Sequence, residues 1–277
     1  MDRSTIALWV SSIGASPAFL QMSDIESAPG LPSPRVWGPW ATIGWATLVV
    51  ALMVVTQAVV LIAFIVVAAT ATGKESPDQI GQLAKSLANH GLFLSVATCS
   101  TTLICSAAII GIVKLKRGSR LKHYLGLIAP NRSQLLRWVM VTIGFCVAFD
   151  LVTVLLKRPS LPGFMMKAYA SIGSPWILWL AVIVAAPLFE ELFFRGFIIK
   201  GLAESRVHWQ GAVVISSGLW SLIHLQYNSY ELVFVFVLGL ILGVARVKTG
   251  STLLTFLLHS LVNLAATIEV AASVRSS

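Results

Sequence analysis

The chain has 277 residues, 57% of them hydrophobic and 11% charged, with a formal net charge of +9 and a mean hydropathy of +0.85. Soluble domains carry roughly 25% charged residues, so this balance excludes a water-soluble globule, a disordered chain and a disulfide-rich secreted scaffold. It fits a polytopic membrane protein, where excess Lys and Arg mark cytoplasmic loops rather than a nucleic-acid surface.

The first 40 residues stand apart. Thr5–Met22 is mildly apolar but interrupted by Gly14 and Pro17, and Ala28–Pro39 is rich in Pro and Gly. A weakly basic start without a small-residue cleavage site argues against a cleaved signal peptide. Residues 1–40 are therefore expected to be a poorly ordered or interfacial tail, with an eighth span there as the lesser alternative.

A bilayer core of about 30 Å takes roughly 20 apolar residues at 1.5 Å each. Seven runs are predicted as spans: Ala41–Thr70, Leu92–Val113, Leu136–Leu156, Trp176–Ile199, Gly211–Leu225, Tyr230–Ala245 and Thr252–Ala272. The fifth and sixth are short and fit the interior of a bundle or need their flanks. The expected fold is an all-α transmembrane bundle, a single domain over 41–272. Cys99, Cys105 and Cys146 lie in apolar stretches without a CxxC pair, and are expected to be buried free thiols.

Counting Lys and Arg between the spans gives fourteen on one side and six on the other, the densest loop being Lys114–Arg137. The rule that positive loops stay inside then puts the N-terminus in the cytoplasm. The expected location is an integral multi-pass position, the plasma or inner membrane in a bacterium.

Charged groups at bilayer depth are costly unless paired or hydrated, which makes each one a functional candidate. The fourth span holds Ala-Pro-Leu-Phe-Glu-Glu-Leu-Phe-Phe-Arg-Gly, residues 186–196. Adjacent carboxylates repel each other, and Arg195 shares a helical face with Glu191 four residues earlier. Glu190 points about 100° away, without a partner on its own helix, and is the candidate proton acceptor. His224 follows Trp220 by four residues, and His259 precedes Asn263 by four. The second pair offers hydrogen-bond donors suited to an oxyanion. Taken singly, either histidine is more often a packing residue. Glu190, His224 and His259 nevertheless fall at comparable depths, roughly 11–20 Å from the same side, so three helices can bring them to one layer lining a water-filled cavity.

At these residues the sequence resembles a known family. Glu190-Glu191-x-x-x-Arg195, then an aromatic residue (Trp220) four before His224, then His259-x-x-x-Asn263 resembles the ordered signature of the type II CAAX prenyl endopeptidases. These belong to the CPBP (CAAX protease and bacteriocin-processing) intramembrane proteases. Pro187, Phe194-Arg195-Gly196 and Lys248-Thr249-Gly250-Ser251 agree as flanks, and the resemblance covers about 176–272. It implies that Glu190 with His224 activates the attacking water, that His259 and Asn263 stabilise the oxyanion, and that Glu191 and Arg195 fix the site. Trp220 stands where the family pattern usually has Phe.

The resemblance leaves metal dependence open. Glu190, His224 and His259 would be the ligands of a zinc ion, but the HExxH spacing is absent, and a glutamate-activated water without a cofactor is the preferred expectation. The expected function is hydrolysis of membrane-associated peptides or protein C-terminal tails. Expected partners are the lipid bilayer and such a substrate, with no nucleic acid. A non-catalytic maturation or immunity factor that keeps the fold is the alternative. A proton-coupled transporter is weaker, because no inverted repeat is visible.

Overall fold

The computed structural model describes residues 35–73, 76–159, 161–224 and 226–276. The reading of Met1–Pro34 as a tail or an eighth span lies outside the described residues. Helix α1 (Pro39–Thr72) starts with Pro39 in its first turn, where a missing N–H costs nothing, and ends at Gly73 in the left-handed conformation (φ 65°). The short α2 (Pro77–Leu87) opens with a reciprocal capping box between Ser76 and Gln79. It is followed by α3 (Gly91–Leu115) and the single turn α4 (Leu121–Tyr124). Helix α5 (Arg132–Leu155) is capped in the same reciprocal manner by Asn131 and Gln134. The short α6 (Gly163–Ala170) precedes α7, a continuous helix over Pro175–Ala203. The chain closes with α8 (His208–Leu222), α9 (Ser229–Thr249) and α10 (Thr252–Ser276).

The fold is an all-α bundle with no strand among the described residues. Six helices, α1, α3, α5, α7, α9 and α10, are long and apolar enough to cross a membrane. The fifth expected span is α8. At 15 residues it rises only about 22 Å, short of the bilayer core. Its chain turns at Ile223 and His224, whose N–H groups bond back to Leu219 and Ser221. Helices α1 and α5 present Val54, Val55, Val59, Ile62, Met140, Val147 and Leu151 outward, the surface a lipid-facing helix needs. Just before α1, Trp37 packs on Trp45 with ring centres 5.8 Å apart and donates its indole N–H to the Ile112 carbonyl at 3.1 Å.

Helix α7 runs through the middle, touching α1, α3, α8, α9 and α10. Small residues set its approach to α1. A Cβ placed on Gly201 would clash with the Thr42 side chain. Gly239 and Gly243 of α9 do the same toward α8, where an added Cβ would meet Ser217 Cβ at 2.9 Å and Val213 Cγ1 at 2.7 Å. The glycine pair spaced by four is thus a helix–helix contact. Two cations of the fourteen, Arg195, counted at the inner end of its helix, and Arg246, counted between spans, are buried within helices. The charge bias keeps its sign without them.

Candidate active site

Helix α7 is not a regular α-helix. Leu180–Ala185 and Glu191–Ile198 are wide π-turns, and Ala186–Glu190 lies between them. The N–H of Ala186 reaches back five residues to the Ala181 carbonyl. The next acceptor in that pattern, Val182 O, would be served by residue 187, which is proline and has no N–H. Asn263 of α10 fills the gap, donating Nδ2 to Val182 O at 2.8 Å. Thr102 of α3 similarly donates to the Ala185 carbonyl at 2.7 Å, and Ser216 of α8 to that of Phe194 at 3.1 Å. Where a helix in a bilayer leaves carbonyls unpaired, side chains of neighbouring helices can satisfy them, as these three do. Wide turns of this kind occur preferentially at functional sites.

The two carboxylates of α7 have different surroundings. Glu191 is fully buried. Its Oε1 accepts from Arg195 Nη1 and from His259 Nδ1, both at 3.0 Å. The guanidinium of Arg195 lies 4.2 Å over the Trp220 ring and donates Nη2 to Gly239 O at 3.4 Å. Glu190 is part-exposed to a cavity, and its Oε2 accepts the Trp220 indole N–H at 2.5 Å. His259 stands between the two acids, its Nε2 being 4.0 Å from Glu190 Oε2.

His224, just beyond the end of α8, has Nδ1 2.8 Å from the Trp220 carbonyl. A carbonyl only accepts, so Nδ1 carries the proton and the neutral ring leaves Nε2 as a base. The imidazole stacks on Tyr227 (5.5 Å, 13°) and meets the Trp220 ring edge to face (5.4 Å, 82°). Burial first, then the charges of Glu190 and Glu231, push the Tyr227 hydroxyl above its usual range. The phenol therefore keeps its proton.

Glu190, Trp220, His224, Tyr227, His259 and Asn263 all line one cavity of about 370 Å³. Four of the six expected site residues are thus brought together at its wall. Glu191 and Arg195 lie behind it, holding His259 and Trp220. Asp150, Glu231 and Glu269 line the same cavity, and no Lys or Arg does among the described residues. Trp220 and Tyr227 escape sequence reasoning as polar contributors, because an indole or phenol in an apolar run reads as packing. Pro187 followed by a distant Asn was the signal for the Val182 contact. Among the described residues no three His, Cys, Asp or Glu side chains form a set that could hold a metal ion, so Glu190, His224 and His259 as arranged do not fit the zinc site that was the lesser alternative.

The contact of Asn263 has a measurable consequence. Asn263→Ala leaves Val182 O without a donor inside the bundle, which is expected to lower stability by about 1–3 kcal/mol. Adding Pro187→Ala restores an N–H in register with that carbonyl, and the double variant should recover part of the thermal midpoint in detergent. If Asn263→Ala melts like the unmodified protein, the amide has no such structural part.

Comparison with known proteins follows the same residues. The segment 172–265 matches the family model described as type II CAAX prenyl endopeptidase Rce1-like, in agreement with the resemblance carried by the three motifs. An uncharacterized 24.3 kDa protein of Escherichia coli is 39% identical over 124 residues, covering 42% of this chain and 56% of that protein. The chain thus spans about half the length of the curated relative it matches. No solved structure matches.

Proposed function

We propose that the protein is an intramembrane endopeptidase that hydrolyses membrane-associated peptides or protein tails with an activated water. The observation that carries this reading is the convergence of Glu190, His224, His259 and Asn263, from three separate segments of the bundle, on one cavity. In the proposed step, water held between Glu190 and His224 Nε2 loses a proton to this pair as its oxygen bonds to the scissile carbonyl carbon. The carbonyl π electrons move onto oxygen. Asn263 keeps one amide N–H beyond that given to Val182 and turns it to the oxyanion. His259 donates Nε2–H there only when doubly protonated, since its Nδ1–H is held by Glu191. When the intermediate collapses, the C–N bond breaks and the departing nitrogen takes up the proton. The same reading places the N-terminus in the cytoplasm, from the loop-charge bias, and needs no cofactor.

The test is cleavage of membrane-anchored peptides by the purified protein in liposomes made up in H₂¹⁸O. One ¹⁸O in the new carboxylate and no trapped acyl-enzyme are expected, with the rate unchanged after exhaustive chelation. A rate lost on chelation and regained with zinc would overturn the metal-free step. A chain that cleaves nothing, and whose Glu190→Gln variant retains its cellular role, would be the non-catalytic factor instead.

A further inference from the structure

Trp220 touches four polar side chains of the site, those of Glu190, Arg195, His224 and His259. Its indole N–H goes to Glu190 Oε2 at 2.5 Å, and its main-chain carbonyl accepts from His224 Nδ1 at 2.8 Å. Its ring face carries the Arg195 guanidinium at 4.2 Å, and the rings of His224 and His259 meet it edge to face at 5.4 and 5.1 Å. The side chain is 2% exposed. It is packed between Gly239, where an added Cβ would lie 3.1 Å from its Cε3, and the α7 acids.

Packing alone would need only the ring. The N–H does something the ring cannot. Glu190 Oε2 has two neighbours, the indole N–H at hydrogen-bond distance and, 4.0 Å away, His259 Nε2, which carries a proton when the ring is the doubly protonated oxyanion donor of the proposed step. Without the indole donor the carboxylate is free to swing onto His259. It would then engage the ring nitrogen that the oxyanion needs and leave its position facing the cavity. The indole thus keeps Glu190 and His259 apart.

The geometry points to Trp220 as a positioning residue for hydrolysis: its indole N–H holds Glu190 off His259, so that base and oxyanion donor remain two separate groups. This rests on the proposed peptidase reading for its kinetic consequence, but not for the hydrogen bond itself. Losing a hydrogen bond to a charged group at this position is expected to lower kcat by about 10- to 100-fold. KM should stay unchanged, because removing the N–H alone leaves the shape of the cavity wall as it is.

The test replaces Trp220 with 3-benzothienylalanine by suppression. Its ring has the shape of indole but carries sulfur in place of N–H, so packing and fold are kept where Trp220→Phe could disturb them. Suppression with tryptophan itself is the control. The expected result is the kcat loss with KM within about twofold. A second readout needs no turnover. The infrared carboxylate band assigned to Glu190, by its disappearance in Glu190→Gln, should shift when the N–H is removed. A wild-type kcat, a change confined to KM, or an unmoved band overturns the inference. Should the unmodified protein cleave nothing while the band still shifts, the peptidase reading falls and the Trp220 contact stands.

Discussion

Glu190→Gln is expected to lower the cleavage rate by roughly 10²- to 10⁴-fold, the range that a positioned general base contributes, while leaving the bundle folded. The reason lies in what the substitution keeps. Glutamine has the same length, and its amide oxygen still accepts the Trp220 indole N–H, the contact that holds residue 190 in place. What it lacks is the ability to take a proton from water. Stability and detergent melting should therefore match the unmodified protein, separating chemistry from fold. Glu190→Asp makes the complementary change. It keeps a basic carboxylate but shortens the side chain by one methylene, about 1.5 Å, drawing it away from both indole and cavity, and misplacement of that size is enough to cost about 10²-fold. A Glu190→Gln protein that cleaves membrane peptides at an undiminished rate would remove Glu190 from the reaction and shift the proton acceptor to His224 alone.

Much of this architecture is legible in the sequence, for reasons particular to membranes. Ala41–Thr70 and Thr252–Ala272 were readable because an apolar run of spanning length has few alternatives, and they correspond to Pro39–Thr72 and Thr252–Ser276. The pair Glu191–Arg195 was readable because four-residue spacing brings two side chains together on any helix. The close contact at Gly239 and Gly243 was readable from side-chain size. The wide turns of α7 were not. A helix that is apolar all round has no periodic pattern against which an extra residue per turn could register. Nor was the division of histidines legible. That His259 bonds to Glu191 rather than leaving it to Arg195 alone, or that Trp220 reaches Glu190, depends on the rotation of α8 and α10 about their axes. That rotation is set for α8 by its packing on Gly239 and Gly243, and for α10 by the Asn263 bond to Val182 O. The end of α8 at Leu222 rather than Leu225 comes from main-chain turns at Ile223 and His224, within a stretch whose composition is still that of a span.

The largest stability effect is expected at Arg195. Its side chain and that of Glu191 are both essentially inaccessible, so Arg195→Met leaves a buried carboxylate with only His259 against its charge. Breaking a buried ion pair from one side typically costs about 3–5 kcal/mol, a large part of a total stability of about 5–15 kcal/mol. The guanidinium also lies over the Trp220 ring, so its loss loosens the residue that holds Glu190. Arg195→Lys should recover little, because a single ammonium cannot serve Glu191, Gly239 O and the indole face together. The telling comparison is Arg195→Met combined with Glu191→Gln. With the carboxylate neutralised, no uncompensated charge remains, and the double variant should be more stable than Arg195→Met alone even though it carries one more substitution. Its activity should nevertheless stay low, because a glutamine holds His259 less firmly than a carboxylate does. Thermal unfolding in detergent, alongside cleavage in liposomes, separates the two effects. If Arg195→Met unfolds at the same temperature as the unmodified protein, the pair is not holding the α7 core. If the double variant is the less stable of the two, the cost lies in lost packing on Trp220 rather than in stranded charge.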